Sequence, residues 1–176
     1  MKNITTILSE EHQIILNVIE VMFEECEHMK NGEVIDHNFF RNVIYFIKNY
    51  ADGFHDIKEE DILFKVILDK AAKMHCDPIP VMLHEHEEGR RYVKGMEDAL
   101  YRNNVHKLTE NASGYGLLLQ SHIYKEDNML YPMAEEALTD IQKKQIEELC
   151  NKININVFFN NSINNFLEIL YQRQVK

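Results

Sequence analysis

Glycine and proline are scarce in this 176-residue chain, six and three respectively, and no stretch is of low complexity. That argues against a loop-dominated, collagenous or disordered polypeptide and favours a single domain with a sizeable core. Cysteine is equally sparse. Cys26, Cys76 and Cys150 are odd in number, scattered and without a CxxC pair, which excludes a disulfide framework and a thiolate zinc site. They read as reduced thiols. No apolar run approaches the roughly 18 to 20 residues of a membrane span, and the N-terminus has no signal-peptide pattern. A soluble, cytoplasmic protein without membrane contact is expected. Basic residues are outnumbered 29 to 19, giving a formal net charge of -10, so nucleic acid is an unsuitable partner.

What the chain does hold is nine histidines and a pattern used twice. The first copy runs His55-x-x-Lys58-Glu59-Glu60-Asp61-Ile62-Leu63-Phe64. The second runs His122-x-x-Lys125-Glu126-Asp127-Asn128-Met129-Leu130-Tyr131. In a helix, residues four apart share a face, so each copy aims an imidazole and a carboxylate at one point.

Helical periodicity organises the rest. Over 4–30, Leu8, His12, Ile15, Ile19, Met22, Phe23 and Cys26 share a face, with Ser9 as a candidate cap and Asn31-Gly32 as the stop. A second helix opens at Asp36 and carries Phe40, Ile44, Ile47, Ala51, His55, Ile62 and Val66, with Gly53 interrupting it. After a connection through Pro78 and Pro80, a third helix over about 80–102 places Met82, His86, Gly89, Val93 and Met96 together and turns His84 away. A fourth, over about 106–130, lines up Tyr115, Leu118, Leu119, His122, Glu126 and Met129 and ends at Pro132. Gly114 and Gly116 within it imply close packing against a neighbour. Thr139-x-x-Gln142 reads as a capping box for a short helix to about Cys150. A last amphipathic stretch holds Ile163, Phe166, Leu167 and Leu170. It suits either packing on the bundle or self-association, so the chain is a monomer or a homodimer.

Four long helices with short connections give an all-α, up-and-down antiparallel four-helix bundle over 1–135, with additional C-terminal helices over 136–176. Each main helix contributes one inward histidine: His12, His55, His86 and His122. Glu59 and Glu126 add carboxylates. Glu11-His12 precedes the first motif as Glu85-His86 precedes the second, which implies an approximate two-fold axis and two metal ions. Asp127, one residue beyond Glu126, is the rival for the second carboxylate, and helix geometry together with the parallel to Glu59 favours Glu126. Imidazoles and carboxylates without thiolate suit iron or manganese. Bridging carboxylates with a solvent-derived oxo or hydroxo bridge would bring each ion to about five ligands. His28, His37, His75, His84 and His106 lie near helix ends or off the stripes and read as solvated. Tyr115 reads as core, close enough to touch the pocket.

At these residues the sequence resembles the hemerythrin-like (HHE cation-binding) family over roughly residues 4–135. The matching motifs are Glu11-His12, His55-x-x-x-Glu59, Glu85-His86-Glu87-Glu88, and His122-x-x-x-Glu126 followed by Leu130-Tyr131-Pro132. The resemblance implies a non-haem di-iron centre bridged by two carboxylates and an oxygen atom. It also implies O2, peroxide or NO as small ligands, a redox partner, and a role in oxidative or nitrosative stress. Oxygen carriers of the family have a fifth histidine four residues after the one matching His86. Here Arg90 stands there, which resembles the stress-response and iron-repair branch more closely. The resulting expectation is O2 reduction, peroxide turnover or NO handling. The alternatives are O2 storage or sensing without catalysis, or iron donation for iron–sulfur cluster repair.

Overall fold

The computed structural model describes residues 3–68, 77–153 and 161–174, so His75, Cys76 and most of the connection before Pro78 lie outside the described residues. Helix α1 spans Ile4–Lys30. The second rod is compound: α2 (His37–Phe46), a π-helical segment π1 (Ile47–Asp56), a second one π2 (Glu59–Leu63), and α3 (Phe64–Leu68). The third rod is α4 (Ile79–Tyr101). The fourth is α5 (Val105–Lys125), π3 (Glu126–Leu130) and α6 (Tyr131–Ala137), followed by α7 (Asp140–Cys150) and α8 (Asn161–Gln174). No strand occurs among the described residues, and no described helix is long and apolar enough to cross a membrane.

Local chemistry sets the ends. Asp36 caps α2 by accepting from the Phe39 amide at 2.9 Å, and Asn104 caps α5 by accepting from Lys107. Gly32 takes φ 97° at the end of α1, a left-handed conformation that glycine adopts without a Cβ clash. Thr139 and Gln142 form the expected capping box of α7. Ser9 is not a cap. Helix α1 begins at Ile4, and the Ser9 hydroxyl reaches across the bundle to Asp127 at 2.6 Å.

The rods pack as an all-α bundle, with α4 and α1 both against α5 and π1 against α1 and α4. A Cβ at Gly114 would collide with the Tyr92 ring, and one at Gly116 with Phe23, so these glycines do permit close approach. Apolar side chains gather in two layers. The larger contains Ile15, Met22, Phe40, Ile47, Val93, Met96 and Tyr115, and the smaller contains Leu8, Leu63, Phe64, Ile67, Met82, Leu130 and Tyr131. Between them every rod presents a histidine.

The π-helical turns correct the sequence reading in two places. A π turn takes one more residue than an α turn, so the face after each motif slips by one. Leu130 is buried and Met129 is 53% exposed, where Met129 was expected inside. Leu63 and Ile67 are buried while Ile62 and Val66 are only partly so. Pro132 does not end the fourth rod either. It sits in the first turn of α6, directly after π3, and the rod runs on to Ala137.

The C-terminal helices lie on the bundle. Ile163, Phe166 and Leu170 are buried in the larger layer, with the Phe166 ring against Phe39 and Phe46. Arg173 closes the contact, pairing with Glu25 at 3.3 Å and Asp36 at 3.2 Å and lying over the Phe39 ring.

Candidate metal centre

The two π-helical turns that follow the motif histidines begin at Glu59 and at Glu126, so both copies of the repeat place their carboxylate at the same kind of irregular turn. Such turns concentrate at functional sites because they redirect side chains from the regular face. The result brings all six expected residues to one level of the bundle, all of them buried. Ligand atoms of His12, His55, Glu59 and Glu126 lie within 4.8 Å of one another, and so do those of Glu59, His86, His122 and Glu126. Glu59 and Glu126 belong to both sets.

The geometry is close to two-fold. Glu126 Oε2 lies 3.3 Å from His12 Nε2 and 3.2 Å from His122 Nε2. Glu59 Oε2 lies 3.7 Å from His55 Nε2 and 3.5 Å from His86 Nε2. Ring centroids are 4.6 Å apart in both histidine pairs, His12–His55 and His86–His122. Two nitrogens each about 2.1 Å from a shared ion would sit about 3 Å apart, and His86 Nε2 and His122 Nε2 are 2.9 Å apart.

Each imidazole is held from behind by a carboxylate. The Nδ1 of His12 meets Asp127 at 2.9 Å, that of His55 meets Glu11 at 3.0 Å, that of His86 meets Glu60 at 2.7 Å, and that of His122 meets Glu85 at 2.9 Å. An Nδ1–H donated to a carboxylate fixes the tautomer and leaves the Nε2 lone pair facing inward. Lys58 and Lys125 in turn donate to Glu11 and Glu85. The repeated motif is thereby accounted for position by position. Its histidine and glutamate face the centre, its lysine holds the acid behind that histidine, and the residue after the glutamate supports a histidine of the other half. Asp127 therefore stands outside the inner set, on His12. Sequence reasoning passed over Lys58, Lys125, Glu60, Glu11 and Glu85 in this role, although the repeat itself carried the signal.

Arg90 does not enter either set. Its guanidinium reaches Glu60 and Glu87 at 2.6 Å each and lies 3.7 Å from Asp56, so it steadies the acid behind His86. It also supplies the positive charge for the third acidic group, Asp56, Glu60 and His86. Tyr115 is buried in the larger core layer and lines a narrow cavity with Asp52, Asp56, Gly89, His86 and His122. His28, His84 and His106 are exposed and His37 half-buried, as expected of solvated residues.

Protonation reveals what the site requires. Burial lowers the His12 pKa, but the Asp127 and Glu126 carboxylates outweigh it and lift His12 to about 9. His122 rises to about 10, burial being outweighed by Glu126 and Glu85. Burial and the charge of His12 push His55 down to about 4. Burial and the Glu126 charge push Glu59 up to about 8. For Glu126 burial is outweighed by His122 and His12, and its carboxyl stays well below the usual range. Without a cation from outside, protons on the imidazoles and on Glu59 must balance the charge. Even so, Glu59 Oε2 and both oxygens of Glu126 are buried without a hydrogen-bond partner. An unmet buried carboxylate oxygen is costly by at least about 1–3 kcal/mol, and a cation at the centre would satisfy all three.

A family model, the hemerythrin HHE cation binding domain, matches residues 3–134. No curated protein and no solved structure matches the chain significantly. The match covers most of the chain, and the chain belongs to the hemerythrin HHE cation-binding family.

Proposed function

We propose that this member of the hemerythrin HHE family holds two iron ions and uses them to react with O2, peroxide or NO in defence against oxidative or nitrosative stress. His12 and His55 would hold one ion and His86 and His122 the other, with Glu59 and Glu126 available to both. The observation that carries the reading is the set of three buried carboxylate oxygens that accept no hydrogen bond, with Glu126 Oε2 only 3.2–3.3 Å from two of the four inward-facing imidazoles. The donor set, imidazole and carboxylate without thiolate, suits iron or manganese and fits a structural zinc site poorly. Iron bound there supplies one-electron redox chemistry and open coordination for a small ligand.

The chain's own residues supply the rest. Carboxylates on the four Nδ1 atoms hold the imidazoles in one tautomer and raise the basicity of Nε2. The apolar layers above and below exclude water and keep the polar layer rigid. The cavity beside His86 and His122 is only about 10 Å³, room for a water-sized molecule and none for an organic substrate. With Arg90 engaged by Glu60 and Glu87, no fifth imidazole among the described residues completes either set, which favours reaction over reversible carriage.

Stopped-flow mixing of the reduced, iron-loaded protein with O2 tests the reading. Fast oxidation with O2 consumed is the expected result, and a stable, reversible adduct would instead identify an O2 carrier, store or sensor.

A further inference from the structure

The repeat places an aromatic residue after Leu63 in one copy and after Leu130 in the other, and the two differ by a hydroxyl. Phe64 stacks against His86, with ring centroids 6.1 Å apart and planes at 18°. Tyr131 stacks against His12 at 5.6 Å and 5°. The rings are equivalent props. Only Tyr131 has a further bond to give: its hydroxyl donates to Glu59 Oε1 at 2.5 Å and lies 3.4 Å from His12 Nε2.

The two shared carboxylates therefore differ. Glu126 keeps both oxygens without a hydrogen-bond partner, whereas Glu59 keeps only Oε2. We propose that Tyr131 is a positioning residue that makes the two metal positions unequal. By holding Glu59 Oε1 beside His12, it weakens the His12/His55 position, so that the His86/His122 position fills first. The inference rests on the two-metal reading of the six inner residues.

The physical reason is twofold. An O–H donated into a carboxylate oxygen draws on the electron density that would otherwise reach a cation and fixes the direction of the group. The hydroxyl also stands within 3.4 Å of His12 Nε2, on ground a cation held by His12 would share. Nothing comparable burdens the other position, where Phe64 has no donor. The supporting carboxylates give no such bias, since all four meet their imidazoles at 2.7 to 3.0 Å. Arg90 adds a positive charge on the His86 side, but Glu60, Glu87 and Asp56 surround it.

The test is anaerobic titration of metal-free protein with cobalt(II), followed by calorimetry and visible absorption. The wild type, Tyr131→Phe, Phe64→Tyr and the double swap are compared, with far-ultraviolet circular dichroism to confirm equal helicity. The wild type should fill in two steps whose affinities differ by about tenfold, the scale of an outer-sphere bond to a metal ligand. Tyr131→Phe should bring the two affinities together. The double swap should restore two steps with the order reversed, so that the first ion broadens the NMR signals of His12 and His55 in place of those of His86 and His122. Two steps unchanged in Tyr131→Phe, or a single affinity in all four proteins, would overturn the inference and leave the two-metal centre standing. A chain that takes up no metal in any variant would overturn the two-metal reading, and the inference with it.

Discussion

Lys58 and Lys125 occupy matching places in the repeat and meet different surroundings. Each donates to the glutamate behind a motif histidine. Lys58 is 3% exposed, its ammonium lies 3.5 Å from the Phe54 ring centroid, and Cys150 at the end of α7 lines the same cleft of about 420 Å³. The Lys125 side chain is 30% exposed. The same contrast runs through the wrapping of the centre. Asp127 is held by the Ser9 hydroxyl and Glu60 by the Arg90 guanidinium, and Tyr131 faces Glu59 where Phe64 has no hydroxyl to offer. The difference teaches that the two halves of the repeat share what faces the centre, what holds an imidazole and the leucine of the apolar layer (Leu63, Leu130). The outer layer has diverged, and it decides how each half responds to perturbation.

The largest effect should come from a residue that both halves share. Glu126→Ala removes a carboxylate common to both positions and should empty both, with metal content by elemental analysis falling to background. His12→Ala and His86→Ala should each weaken mainly one position, and equal loss of both ions in either variant would break the two-position picture.

The wrapping should show next. Glu11→Ala strands the buried Lys58, whose pKa burial already lowers, and should destabilise the metal-free protein by about 3 kcal/mol in urea unfolding. Glu85→Ala likewise takes the acid from its imidazole, His122, but leaves the partly exposed Lys125 to water, and so should cost less than Glu11→Ala by about 1–2 kcal/mol. Equal costs would show that the cover over Lys58 is energetically irrelevant.

Proton release sharpens the comparison further. Metal ligands must be deprotonated to bind. In the metal-free chain His12 at about 9, His122 at about 10 and Glu59 at about 8 all carry protons at pH 7, and His55 at about 4 does not. Loading both positions at pH 7 should therefore release protons, from His12, His122 and Glu59. Because these pKa values are raised, affinity should climb as pH rises from 7 and level off above about 10. A pH-independent affinity measured by competition with a chelator would contradict this. The smallest effect belongs to α7, which packs on α1 and π2. Thr139→Ala removes its capping box and should cost about 1 kcal/mol, speeding alkylation of the buried Cys150 thiol, whose pKa burial lifts to about 12. Cobalt binding between His86 and His122 should not change.

Much of this was legible in the sequence. Four helices could be read from apolar spacing, and His12, His55, His86 and His122 each sat on an apolar stripe, which located one buried level. Glu59 and Glu126 followed from the repeat. The supporting acids escaped because Glu60 and Asp127 reach a histidine on a different rod, and helical spacing describes only one rod at a time. The π-helical turns escaped for another reason: a turn closed by i→i+5 bonds is set by packing around the centre and has no residue signature of its own. That is why Met129 was expected inside, whereas Pro132 was expected to end the rod because proline lacks an N–H.

The most direct test of the account is an iron count. Metal-free protein reconstituted anaerobically with ferrous iron, desalted and assayed by elemental analysis and Mössbauer spectroscopy should hold two irons per chain. Oxidation should then produce a spin-coupled ferric pair. A chain that retains no iron, or two irons that show no coupling, would contradict a centre built on the shared carboxylates of Glu59 and Glu126.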